Sequence, residues 1–257
     1  MALVVVDAHV HIYECFSLEG FFENAWSNAC TRAHGHADPP RVVLCLTETA
    51  NFHKFSDLKQ QSSIGSWQLS TTAEEQALVA GNGEKRIYLI AGSQITTRNK
   101  LELLVLGSTR RFADGRSLDD SVRDVQSAGE FVVVPWAVGK WLGERGKQVA
   151  RTVEETSCFV GDNGGRPLFW PAPSLFKSVR AKGRKVLRGS DPLPIKGEER
   201  RVARFGFSFH HGFDGAHPWG SVKAVLDDRL ADISDFGSLE SPWRFFRNQW
   251  LLRKGST

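Results

Sequence analysis

Short apolar runs recur along the chain, and amphipathic stretches separate them. Ala2-Leu3-Val4-Val5-Val6 is a continuous apolar run, the pattern of a buried strand. Further strands are predicted over residues 41–47 (RVVLCLT), 86–91 (RIYLIA), 131–134, 157–161 and 185–188. Residues 92–107 hold two short extended pieces that turn near Asn99. Helical patterns cover residues 17–32, 117–128, 143–156, 173–182, 221–231 and 241–252. Strands alternating with helices predict a parallel sheet with crossover helices. His9 and His11, Thr47-Glu48, Gln94, Trp136, Asp162-Asn163 and Asp191 each follow a predicted strand. Those are the strand ends at which (β/α) barrels place their active sites.

Composition narrows the picture. The chain has 257 residues, 41% of them hydrophobic, enough for a full core and read as a single domain over 1–257. The net charge of +4 is spread along the chain. It suits an anionic or phosphorylated small molecule, gives no clear nucleic-acid binding, and leaves a homo-oligomer open. Cys15, Cys30, Cys45 and Cys158 lack C-x-x-C spacing and read as reduced thiols of a cytoplasmic protein. No apolar run is long enough for a membrane span, and no secretory signal pattern is expected at the start.

Asp7-Ala8-His9-Val10-His11 carries the clearest chemistry. Side chains two apart on a strand share a face, so the two imidazoles converge as half of a divalent-metal site. The alternative is one core histidine and one loop histidine. Residues 135–147 place Trp136, Trp141, Lys140, Arg145 and Lys147 among three glycines before a helix start. Lys140 and Arg145 could hold an anion there while a tryptophan stacks on a ring. Equally, this is a glycine-rich connection plugged by its tryptophans. Asp162 and Arg166 follow a strand as candidate base and anion clamp, or as parts of an Asp-Asn-Gly-Gly turn. His34 and His36 read as solvent-exposed, and His210, His211 and His217 as residues packed on the barrel or as part of a substrate-covering loop. Glu74, Glu75, Asp227, Asp228 and Asp232 read as solvated helix faces, and Phe245, Phe246 and Trp250 as a core stripe or dimer contact.

In order, these motifs resemble the PHP (polymerase and histidinol phosphatase) superfamily over residues 4–194. The opening D-x-H-x-H is intact at Asp7, His9 and His11. Thr47-Glu48-Thr49 stands where that family has Thr-Asp-His, and Gly92-Ser93-Gln94-Ile95 where it has Gly-x-Glu-Ile. Glu102-Leu103-Leu104-Val105-Leu106-Gly107 stands for His-Leu-Leu-x-Leu-Gly, and Pro135-Trp136-Ala137 for the Ala-His-Pro segment. Gly189-Ser190-Asp191 keeps the closing aspartate, but Leu193 replaces its histidine. The resemblance implies a distorted (β/α)7-type barrel, TIM-barrel-like, with residues 195–257 as a C-terminal helical segment packed on it. It implies metal-dependent phosphoester hydrolysis, and the replaced ligands reduce three metals to one Zn, Mn or Fe ion. His9, His11 and Asp191 are then the ligands, with Glu48 or Glu102 as a fourth. Lys140, Asp162 and Arg166 are the candidate catalytic residues, and Trp136, Arg145 and Gln94 the substrate-binding ones.

The expected function is therefore a phosphoesterase using metal-activated water. Gln94, Trp136 and Leu193, each standing where the family has a ligand, support a second reading, a catalytically degenerate barrel that binds a small molecule or partner. A third is an amidohydrolase-like C–N hydrolase, which the absence of histidines between His53 and His210 disfavours.

Overall fold

The computed structural model describes residues 2–255. It corrects the expected barrel: the chain forms two open sheets, of eight and five strands, and no closed barrel is present among the described residues. The first sheet has the strands β1 (Val4–Val10), β2 (Arg41–Leu46), β3 (Ser63–Ile64), β4 (Trp67–Thr71), β5 (Ala77–Asn82), β6 (Lys85–Ile90), β12 (Gly206–Phe209) and β13 (Ser234–Phe236). Their order is β13-β12-β1-β2-β6-β5-β4-β3. The second contains β7 (Gly92–Thr96), β8 (Glu102–Leu106), β9 (Phe131–Pro135), β10 (Phe159–Asn163) and β11 (Val186–Gly189), in the order β11-β10-β9-β8-β7.

Connection length explains the mixture. β1, β2 and β6 are parallel, as are β9, β10 and β11. β5 and β6 are joined by a tight turn in which Gly83 has φ +55°, and only antiparallel neighbours can be linked so tightly. The same holds for the hairpin β7–β8, which turns through Lys100 at φ 61°. β12 then closes on β1 antiparallel, Val6 facing Phe207.

The sheets face each other across a shared core. Val4, Val6, Val43 and Tyr88 from the first meet Leu106 and Phe131 from the second. Helix α1 (Leu18–Arg32), capped by the Ser17 hydroxyl on the Gly20 N–H, covers the outer face of the first sheet with Phe21 and Phe22. A short helix, α2 (Lys54–Lys59), follows β2. Helices α3 (Leu118–Ser127), α4 (Gly143–Thr156) and α5 (Ser174–Ala181) cover the second sheet. Helix α6 (Pro218–Asp227) adds Trp219, Val222 and Leu226 to the core between the sheets. Helix α7 (Pro242–Gly255) follows β13. No described helix is long and apolar enough to cross a membrane.

Glu74 and Glu75, expected on a helix, lie instead between β4 and β5. Glu74 accepts the Trp219 and Gly220 N–H groups at 2.7 and 2.8 Å, at the start of α6. A carboxylate there satisfies donors that the helix leaves unpaired.

Candidate metal centre

The site begins with an irregularity in β1. Leu3 and Val5 pack outward beneath α1, whereas Val4, Val6 and Ala8 face the core between the sheets. Simple alternation would send His9 and His11 outward with Val5. Between Asp7 and Val10 the pairing with β2 slips: Asp7 faces Leu44, and Val10 faces Leu46. Three steps along β1 match two along β2, so the parity reverses. Val10 joins the outer core, and His9 and His11 meet Asp191 from the second sheet's side.

His9 and His11 are 4% and 5% exposed, with their Nε2 atoms 3.1 Å apart. Asp191 Oδ1 lies 3.5 Å from His9 Nε2 and 3.4 Å from His11 Nε2. Ligands 2.0–2.1 Å from a tetrahedral zinc ion would stand about 3.3 Å from one another, so the spacing fits one ion. The donor set of two imidazoles and a carboxylate also suits Zn, Mn or Fe. Burial pushes His9 down to about 4, which leaves it neutral and able to ligate at neutral pH. Burial opposes ionisation of Asp191, but His9, His11 and Asn163 outweigh it and hold the carboxyl well below its ordinary range.

Each candidate ligand is braced. Asp191 adopts a left-handed backbone at φ 46°, and its N–H donates to the His9 carbonyl at 2.8 Å. Asp7, fully buried, accepts the Ser190 and Ala203 N–H groups, both at 2.8 Å, the Ser190 hydroxyl at 2.5 Å and the His9 N–H at 3.3 Å. Burial pushes the Asp7 carboxyl up to about 6, against the pull of those four donors. Asn163 Nδ2 donates to Asp191 Oδ2, leaving Oδ1 toward the histidines. Gln94 Oε1 lies 3.3 Å from His9 Nε2.

The other candidates fall in different places. Both Glu48 oxygens are engaged, one by the Phe55 N–H at 2.6 Å and one by Arg111 Nη2 at 2.6 Å. Burial raises its carboxyl above the usual range, with Phe55 and Arg111 opposing. Glu102 is paired with Lys140, and both line a cavity of about 230 Å³ that also contains Asp191 and Asn163. Asp162 and Arg166 form a buried two-point pair at 2.8 and 2.9 Å, and Arg166 also donates to the Trp170 carbonyl. Asp162 Oδ1 accepts the Asn163 N–H at 3.0 Å, so this pair fixes the residue that holds Asp191. Trp136 is buried, edge-on to Trp170, in the core beneath the helices of the second sheet. Arg145 donates to the Gly139 carbonyl at the start of α4.

Sequence reasoning missed two contributors. Asn163 was placed at a strand end but given no role of its own; that role depends on the left-handed residue 28 positions later. Helix α7 supplies a wall of the cavity through Phe245, Asn248, Gln249 and Leu252. A buried network anchors that helix: Arg201 meets Glu240 at 2.6 Å and the Gly164 carbonyl at 2.8 Å, and Arg244 meets Glu198 at 3.1 Å. The i, i+3, i+7 spacing of Phe245, Asn248 and Leu252 was the available signal.

No family model and no curated protein match this chain. Solved structures share its fold. PsfC from Pseudomonas syringae PB-5123 matches over 100% of both chains, with a TM-score of 0.64 and 12% identity. PfuEndoQ, a lesion-specific endonuclease from Pyrococcus furiosus, matches 91% of this chain and 57% of its own, with a TM-score of 0.57 and 10% identity. At such identities the likeness is one of fold alone, and the PHP resemblance rests on the motifs quoted above.

Proposed function

We propose that the chain is a single-metal hydrolase acting on phosphoesters, with His9, His11 and Asp191 as the metal ligands. The observation that carries this reading is the convergence of their three donor atoms, at 3.1 to 3.5 Å, beside a cavity that also contains Lys140. A divalent ion bound there would activate water and polarise the phosphoryl group. Three protein ligands leave a coordination position open, and Asp191, whose side chain is 21% exposed, is the ligand that lines the cavity. Lys140 Nζ, held by Glu102, offers positive charge to the non-bridging oxygens of a phosphoryl group. Asn163 keeps Asp191 turned to the histidines, and Asp162 with Arg166 positions Asn163. Phe245 and Leu252 give the cavity an apolar side that limits water. The endonuclease activity named for PfuEndoQ is consistent with phosphoester chemistry on this fold.

The test is elemental analysis of protein purified without chelators, beside a His9→Ala/His11→Ala variant, followed by assays with p-nitrophenyl phosphate and its bis-ester. About one equivalent of Zn, Mn or Fe, lost in the variant, with metal-dependent turnover of either ester, is the expected result. Protein that binds none of these ions after soaking would overturn the reading.

A further inference from the structure

Helix α7 has a second face that the cavity does not use. Its sequence, PWRFFRNQWLLRKG, contains four cations and no acidic residue. Phe245 and Asn248 are buried and face the cavity. Trp243, Phe246 and Trp250 are 77%, 60% and 55% exposed, an uncommon amount of aromatic surface for one helix. Arg247, Arg253 and Lys254 are also exposed. At about 100° and 1.5 Å per residue, all six lie within an arc of roughly 120°. Trp243, Arg247, Trp250 and Lys254 follow one line on that face, alternating aromatic and cation over about 16 Å. Lys254 Nζ lies 4.1 Å from the Trp250 ring centre. Phe169, stacked on Phe246 at 5.8 Å and 11°, and exposed Leu168 extend the surface.

We propose that this face, which lies on the side of α7 turned away from the cavity, binds single-stranded nucleic acid. The surface stands on α7 and its neighbours Leu168 and Phe169, independently of the hydrolase reading above. Rings that alternate with cations at this spacing give bases a stacking surface and phosphates a counter-charge. A helix lying on a membrane instead separates its apolar and basic faces, and here they are interleaved. A second copy of the chain would set these cations against their own kind.

The experiment is fluorescence anisotropy of labelled dT20 and rU20 in EDTA, which keeps binding separate from metal and turnover. Parent protein is expected to bind one or both strands with an affinity that falls as salt rises. Trp243→Ala/Trp250→Ala should weaken binding by roughly tenfold or more. Arg247→Gln should lower the salt slope by about 0.7. Melting temperatures of both variants check that the exposed changes leave the fold intact. Absence of binding at low salt, or binding indifferent to all three substitutions, would overturn the proposal. So would binding of phosphatidylserine vesicles, or a dimer in sedimentation, that depends on these residues while neither oligonucleotide binds. Strand binding by protein that takes up no metal would leave the α7 surface standing and remove the hydrolase. Metal-dependent ester turnover without strand binding would do the reverse.

Discussion

Asp7 and Ser190 are joined twice, through the Ser190 N–H at 2.8 Å and its hydroxyl at 2.5 Å. Asp7 thereby ties the strand that carries both histidines to the segment that carries Asp191. Its four donors all expect an oxygen acceptor. Asp7→Asn turns one oxygen into a donor facing other donors, inside a fully buried site. The expected cost is about 1–3 kcal/mol. Urea unfolding should show a lower midpoint with an unchanged slope.

Gly189 brings β11 against β1. A Cβ there would lie 2.3 Å from His9 Cβ and 2.4 Å from His9 N. Backbone cannot yield as a flexible side chain does, so Gly189→Ala should destabilise the fold by about 1–3 kcal/mol and displace His9. A fall in melting temperature together with weaker metal uptake checks this. Full metal affinity in the alanine variant would contradict the close approach.

Asn163 holds Asp191 through its Oδ2. Asn163→Ala removes the acceptor of the Gly165 N–H, held at 2.6 Å, and so should cost some stability, while weakening metal affinity about 10- to 100-fold, the usual effect of removing a group that orients a ligand. Calorimetric titration of the metal-free variant with Zn²⁺ measures the loss.

Lys140 sits at the cavity with Glu102 as its partner. Lys140→Gln should lower kcat/KM for a phosphoester about 10- to 100-fold, the effect of a lost charge-assisted hydrogen bond. Metal content should not change. Equal turnover by parent and variant would remove Lys140 from substrate binding.

Much of the local structure was legible. The hairpin over residues 92–106 and helix α4 at Gly143–Thr156 formed where periodicity and glycine placement predicted. Ser17 and Ser117 cap α1 and α3 as their short hydroxyl side chains favour. The β3–β5 meander was not legible. β3 is a two-residue edge strand and β4 is largely exposed, so neither carries a long apolar run. Nor was the antiparallel pairing of β12, whose Gly206-Phe207-Ser208-Phe209 becomes a strand by docking beside β1. Those two additions turn an expected barrel into two open sheets.

The sequence by itself determined the donor types and that His9 and His11 share a side of their strand, because side-chain alternation is local geometry. It could not determine which side. That depends on a one-residue slip against β2, and the slip exists only once two strands pair. The third candidate ligand is likewise a tertiary outcome. Asp191 is 180 residues beyond His11, and it reaches the site through a left-handed turn held by Asp7 and Asn163. Glu48 and Glu102 carried the same carboxylate chemistry, but the folded chain gave them to Arg111 and Lys140. A carboxylate becomes a ligand or an ion-pair partner according to which charges the fold brings beside it, and residue type alone does not encode that.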